Sequence, residues 1–288
     1  MINSRTGRKL SQNGAFLVFW LTGVIAVLIM AFVVGYIMVQ GIPQLNLDFF
    51  TTSPRGGLSG DGGIYSTIVT TFYMIVVTLA FATPLGVGAA IYLTEYSEKA
   101  ESLFVRKLVA LARFGVETLA GVPSIIFGLF GYALFVSALN LGFSILSASL
   151  AGACLIIPVI IRTTEEALKS VPDSYRQGSL ALGATKWETI WKVILPSAFP
   201  GISTGILLSA GRIVSETAIF FVTLGGSYRI PHSLMSGGRT MALHVYYLAM
   251  ETRAFDKAMS TAAVLVALIV LMNLGINIIT SRISAKTR

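Results

Sequence analysis

Apolar residues are gathered into six long runs, at 16–39, 68–93, 116–139, 145–161, 202–224 and 262–279. Most of these approach the ~20 residues that a helix needs to cross a hydrocarbon core, and the fourth is the shortest. The pattern predicts an all-α integral membrane protein with six transmembrane helices. Pro84, Pro123 and Pro158 fall in or beside the runs and predict kinks, because proline lacks the donor that continues a helix. Broken helices persist in a membrane where protein or a watery path meets the freed carbonyls, which favours a transporter. Gly201 with Gly205, and Gly86 with Gly88, predict close helix crossings.

Two polar stretches interrupt the pattern. Residues 41–66 contain Pro43, Pro54 and the run GGLSGDGG, which reads as a loop with turn chemistry. Residues 162–196, RTTEEALKSVPDSYRQGSLALGATKWETIWKVILP, are too polar to span and too regular for a floppy loop. Ser170 and Asp173 have capping-box spacing, with Pro172 in the early turn; Thr185 and Glu188 repeat that spacing after Gly183. The expected structure is helix, glycine turn, helix. Trp187, Ile190, Trp191 and Ile194 follow at helical spacing and are expected at the membrane interface. A protruding helix with a sharp turn suits docking into a partner's groove. The alternative is a structured loop with no partner.

Composition agrees with lipid as the solvent: 55% of residues are hydrophobic and 12% charged, against about 25% charged in a soluble domain. The net charge of +8 changes the picture only through its distribution. Arg5, Arg8 and Lys9, then Lys99, Arg106, Lys107 and Arg113, share one side of the predicted topology with Lys169, Arg176, Lys186 and Lys192, and with Arg282, Lys286 and Arg288. The opposite side holds Arg55, Arg229, Arg239, Arg253 and Lys257. Basic loops stay cytoplasmic, so both termini are expected inside, and the charge reports topology rather than nucleic-acid binding. The chain therefore divides into a cytoplasmic N-terminus at 1–15, a membrane domain at 16–281 with a cytoplasmic segment at about 164–196, and a cytoplasmic C-terminus at 282–288. The first run begins late and runs long for a signal peptide, and no small-residue cleavage pattern follows it, so it reads as a retained helix. Cys154 is the only cysteine, which excludes an internal disulfide.

Candidate chemistry is sparse. No GxxxxGK[ST] loop occurs, so the chain is not expected to hydrolyse ATP itself. His232 and His244 lack a carboxylate or cysteine at metal-ligand spacing, and no nucleophile and base or paired carboxylates gather on one face, which argues against an enzyme. Arg212 lies inside the fifth run, where a charge costs about 2.5–3.5 kcal/mol and needs a partner or water. Glu216, four residues on, is expected on the same helical face and within reach. Arg162 closes the fourth run beside Thr163 and Thr164. An arginine fork matches two oxygens of an oxyanion, and a second cation helps neutralise a dianion. The plainer alternatives are an Arg212–Glu216 lock on the fifth helix and an Arg162 that snorkels to headgroups.

The 162–196 segment resembles the EAA loop of the inner-membrane permeases of ABC importers, whose signature is EAA, three residues, glycine, nine residues, then I-x-L-P. Gly183, Leu195 and Pro196 match in register, Val193 takes the isoleucine position, and Gln177, Gly178 and Ser179 stand where EAA would be. The similarity runs from about Phe16 to Arg282 and is greatest to the phosphate permease subunits, through PLGVGAAIYLTEY, LAGVPSIIFGLFGYALF, RTTEEAL, GRIVSETA and RTMALHVYYLA. The resemblance implies a MetI-like permease fold in the bacterial inner membrane. It implies that Arg176, Gln177, Gly178, Ser179, Leu182, Gly183, Ala184, Thr185, Leu195 and Pro196 form the coupling segment for an ATPase. It places Arg162 and Arg212 at positions important for phosphate passage; Glu216 would repel phosphate, so its expected role is to orient Arg212 or to be displaced during the cycle. The implied partners are a second, similar permease, two ATP-binding subunits that carry the ATP and magnesium, and an extracytoplasmic phosphate-binding protein; this chain is expected to bind no cofactor. The remaining alternatives are a permease for another oxyanion or small solute, and a membrane scaffold that signals phosphate supply.

Overall fold

The computed structural model describes residues 4–55, 60–97, 102–252 and 254–286, and side chains from residue 12 onward, except for most beyond 275. Lys99, Arg253 and Arg288, the side chains of Arg5, Arg8, Lys9, Arg282 and Lys286, and residues 56–59 of the glycine-rich run lie outside the described residues.

The described chain is almost wholly helical. Helices α1 (Ser4–Gly41), α3 (Tyr65–Ile91), α6 (Ile145–Lys169), α9 (Leu195–Ser215) and α12 (Phe255–Lys286) carry five continuous spans. Helix α6 is the axis of the bundle, two thirds buried, and packs against α3, α9, α5 (Ser124–Gly131) and α4 (Leu103–Ala120). Its start is fixed by Ser144, whose side chain accepts from the Ser147 amide. Met74, Ile156, Ile160, Ile213 and Phe220 interlock around it as fully buried side chains. Small residues set the spacing. A Cβ added at Gly201 would stand 2.7 Å from the Ala167 Cβ, one at Gly86 2.7 Å from Ile160 Cγ2, and one at Gly205 would overlap Thr163. Three of the four expected crossing glycines therefore sit at crossings, while Gly88 meets open space. Helix α1 stands apart on α12, its apolar length uncovered by the other described residues.

The third run is not one helix. Its axis turns through 108° between α4 and the α5 segment, where Gly121, Val122 and Pro123 interrupt the helix. Proline offers no N–H and forces its predecessor toward extended backbone, so the chain bends there rather than kinking gently. A sixth span exists only if this bent pair crosses as a unit. The fifth run is also broken. Helix α9 ends at Ser215, Glu216 is extended at ψ 130°, and a short α10 (Ala218–Thr223) follows. At its other end the helix begins earlier than the run, at α8 (Lys186–Thr189), and continues through a π-helical segment, Ile190–Ile194, into α9. The wide turn precedes Pro196, whose missing donor sits in the first turn of α9.

The 41–66 loop holds a short α2 (Leu47–Thr51), capped by Asn46, with Phe49 buried against Ile64 and Met241. At the far end of the chain, α11 (Met241–Met250) packs on α12.

Candidate functional site

Helix α6 runs eight residues beyond the fourth apolar run, so Arg162, Glu165, Glu166 and Lys169 ride on its last turns rather than beginning a separate segment. The chain then reverses into α7 (Asp173–Ala181). Ser170 does not cap α7: its hydroxyl donates back to the Ala167 carbonyl and closes α6, while Pro172 occupies the position before α7 without a side-chain cap. A proline-set entry leaves no role for the expected capping box. The second box is present, with the Thr185 hydroxyl accepting from the Glu188 amide and the Glu188 carboxylate accepting from the Thr185 amide.

Between the two helices, the Ala184 amide donates to Ser179 O at 3.2 Å and the Gly183 amide to Leu180 O at 3.0 Å. This is a Schellman turn, with Gly183 at φ +85° in the position that favours glycine. No atom lies within 4 Å of a Cβ added at Gly183 or Gly178, so the first glycine is required by backbone conformation, not by space. Leu182 at the apex is 90% exposed, and Gln177, Gly178 and Thr185 are exposed beside it. Ser179 and Thr189 join the two arms through their hydroxyls at 2.9 Å. Leu195 and Pro196 begin α9 behind the turn, away from the apex. The tryptophans and isoleucines expected together divide: Ile190 and Ile194 are buried, while Trp187 and Trp191 are exposed with ring centroids 5.3 Å apart. Residues three apart sit on adjacent faces, and the core takes one pair only.

Arg176 anchors this protrusion. It reaches the Glu95 carboxylate in the π-helical turn Tyr92–Tyr96 that continues α3, and its Nη1 and Nη2 donate to the Val171 and Leu168 carbonyls, both at 2.9 Å. The Glu95 hydrogen bond raises the Arg176 pKa against the opposing effect of burial. Lys186 lies 4.4 Å over the Tyr96 ring and also donates to the Glu95 carbonyl. Glu95 is thus a contact that sequence reasoning missed: it stands with Glu98 and Glu101 in a charged stretch after an apolar run, and nothing local marks it as the partner of Arg176.

The arginines expected to share one anion are separated. Thr163 on α6 abuts Gly205 on α9, and the two helices run antiparallel. Arg212 is seven residues beyond Gly205, so Arg162 and Arg212 differ by about 10 Å along the helix axes. Arg162 is 70% exposed, pairs with Glu166 at 3.5 Å, and lines a cavity of about 490 Å³ with Arg113, Glu117, Glu165 and Lys169. Within it Arg113 Nε and Glu165 Oε1 stand 3.9 Å apart, both buried and without a hydrogen-bond partner. Arg212 lies outside that cavity, on an exposed stripe of α9 with Leu208 and Ser215. Glu216 does not pair with it: the helix has ended, and the buried carboxylate accepts from the Ile219 amide at 3.2 Å, capping α10.

The comparisons with known proteins bear on this arrangement. The family model described as "Binding-protein-dependent transport system inner membrane component" matches residues 82–288. A probable ABC transporter permease protein, YqgI of Bacillus subtilis (strain 168), is 31% identical over 284 residues, covering 93% of this chain and 94% of the relative. The phosphate transport system permease protein PstA of Mycobacterium leprae (strain TN) is 33% identical over 273 residues, covering 93% and 88%. Among solved structures, a chain of a bacterial alginate ABC transporter in complex with a pentasaccharide-bound periplasmic protein superposes with a TM-score of 0.70 at 15% identity, over 97% of this chain and 98% of that one. The fold is the ABC importer, MetI-like permease fold. With more than two thirds of its length matched by the family and a protruding turn-helix held by Arg176, this chain belongs to the inner membrane components of binding-protein-dependent transport systems, non-catalytic permease subunits whose ATP is hydrolysed by partner chains.

Proposed function

We propose that the chain forms half of the translocation pathway of an ATP-driven importer of inorganic phosphate. One observation carries this reading: Arg212 sits within an apolar span, yet on a face that the described residues leave uncovered. A guanidinium facing lipid there would cost about 2.5–3.5 kcal/mol, so the face belongs against a second permease or a watery path. Relatives named as phosphate permeases supply the cargo.

In this reading the α7 turn is cytoplasmic and Leu182 enters a groove of an ATP-binding subunit, with a second, similar permease and an extracytoplasmic phosphate-binding protein completing the assembly. Both termini then lie in the cytoplasm. The Arg176–Glu95 contact passes motion of α7 directly to α3 and α6. An anion crossing the bilayer meets Arg212 first and the Arg162 cluster about 10 Å later, a spacing that suits two weak stations rather than one tight site.

The test is uptake of labelled phosphate by proteoliposomes holding the whole importer, with ATP inside and the binding protein outside. Arg212→Ala abolishes uptake while the four-chain membrane complex still co-purifies. Uptake of sulfate but not phosphate by the wild-type importer overturns the cargo, and unchanged phosphate uptake by Arg212→Ala removes Arg212 from the pathway.

A further inference from the structure

At the end of the bundle remote from the α7 turn, a cavity of about 280 Å³ opens between the stretch before α3, the loop from α10 to α11, and α11 itself. Arg55, Asp61, Tyr228, Arg239, Tyr247 and Glu251 give it a polar wall. Arg239 is held there from three directions. Its Nε donates to Gly226 O at 3.0 Å, its Nη1 lies 3.4 Å from His244 Nδ1, and its guanidinium carbon stands 4.0 Å over the Tyr247 ring. The guanidinium only donates, so the buried His244 accepts at Nδ1 and is the neutral tautomer, adding no charge of its own. Five N–H donors are available and these contacts use two.

Among the described residues no carboxylate forms an ion pair with Arg239, and burial acts to lower its pKa. A half-buried, pre-oriented arginine fork with donors to spare, on the wall of an open cavity, is a site for an oxyanion. Arg55 supplies a second cation, brought to the cavity by the antiparallel bridge of Pro54 with Gly62. The cavity has room for several waters at about 30 Å³ each, and so for a tetrahedral anion with part of its hydration.

Asp61 and Glu251 narrow the choice. Asp61 is paired with Lys257 at 3.3 Å, while Glu251 is exposed at the rim. A fully ionised oxyanion meets these carboxylates as like charges. Inorganic phosphate near neutral pH keeps at least one proton and can donate to a carboxylate, which only accepts; sulfate and a lipid phosphodiester have no such proton.

We infer that this cavity is an outer receiving site for protonated inorganic phosphate, with Arg239 as its principal binding group, upstream of Arg212. The inference rests on the phosphate-importer reading and adds a residue and a station to it.

The test is equilibrium binding of radiolabelled inorganic phosphate to the whole importer in nanodiscs of zwitterionic lipid, without the soluble binding protein. Wild type is expected to bind saturably, Arg239→Gln to weaken binding at least tenfold, and Arg239→Lys to fall between, since it keeps the charge and loses the fork. Tenfold excess sulfate is expected not to displace phosphate, and nanodiscs containing phosphatidylglycerol to bind phosphate as before. Because Arg239 also holds the Gly226 loop, co-purification with the ATPase is checked for both variants, and wild-type affinity in Arg239→Lys together with lost assembly in Arg239→Gln assigns the residue a structural role and overturns the inference. Equal binding by Arg239→Gln, displacement by sulfate, or loss of binding in anionic lipid also overturns it. If wild type fails to transport phosphate, the importer reading falls; if it transports phosphate and Arg239→Gln binds unchanged, only the receiving site falls.

Discussion

Arg176 and Glu95, 81 residues apart, meet at 2.7 Å between Nη2 and Oε1, with Nε a further 3.1 Å donor to the same oxygen. Their side chains are 20% and 9% exposed, so the pair is sheltered but not sealed. Because the same guanidinium also holds the Leu168 carbonyl in the last turn of α6 and the Val171 carbonyl just beyond it, one side chain joins α7 to two spans.

Glu95→Ala removes the charged partner and leaves Arg176 with the Leu168 and Val171 carbonyls and a water-exposed Asp173. A hydrogen bond to a charged group contributes about 1.5–3 kcal/mol, which sets the expected loss of stability. The coupling effect is expected to be larger than the stability effect: ATP hydrolysis by the reconstituted importer continues, while phosphate moved per ATP falls severalfold. An unchanged transport-to-hydrolysis ratio in Glu95→Ala shows that the clamp does not carry the motion.

Gly183 separates conformation from space. At φ +85° an alanine is strained by about 1 kcal/mol although nothing obstructs its Cβ. Asparagine tolerates this region better than alanine, and proline, fixed near φ −65°, cannot adopt it. The expected order of ATPase co-purification is therefore wild type, Gly183→Asn, Gly183→Ala, and last Gly183→Pro. An order that follows side-chain size instead points to a packed site.

How much of this was legible in the sequence depended on whether the governing contact was local. The apolar runs of α1, α6 and α12, the Gly183 turn and the Thr185–Glu188 box are set by neighbours within a few residues, and each appears where the pattern places it. Hydropathy is blind to backbone breaks inside apolar sequence, so Pro123 marked a kink but not a turn of 108°, and the end of α9 at Ser215 was hidden within an uninterrupted run. The second break moved Glu216 off the Arg212 face, because a spacing of four implies contact only while the helix lasts. Glu95 was illegible for a different reason: its partner is 81 residues away, and no periodicity encodes that distance.

The crossing of α6 and α9 offers a reciprocal test. Gly201→Ala places a methyl 2.7 Å from the Ala167 Cβ, and overpacking of this kind costs about 1–3 kcal/mol. Ala167→Gly alone opens a small gap. Combined, the two changes move the methyl from one helix to the other, so Gly201→Ala/Ala167→Gly is expected to regain most of the lost thermal stability of the detergent-purified complex. Simple additivity of the two losses means that the helices do not meet at this pair.

Arg212 and Glu216 are adjacent in helical spacing but have different physical duties, and one pair of substitutions separates them. The Glu216 carboxylate is 8% exposed as a residue and accepts from the Ile219 amide at the start of α10, so Glu216→Gln keeps an acceptor and Glu216→Ala leaves a buried amide unpaired. Loss of a capping acceptor costs about 0.5–2 kcal/mol, which predicts a lower melting temperature for Glu216→Ala and a nearly normal one for Glu216→Gln. Arg212 forms no ion pair with Glu216, whose carboxylate is taken by the Ile219 amide, and lies on the exposed stripe of α9. Arg212→Ala is therefore expected to leave melting of the isolated chain within about 0.5 kcal/mol of wild type while uptake is lost. If Arg212→Ala and Glu216→Ala instead melt alike and their double variant melts no lower than either, the two residues act as one lock, and the break at Ser215 does not separate them.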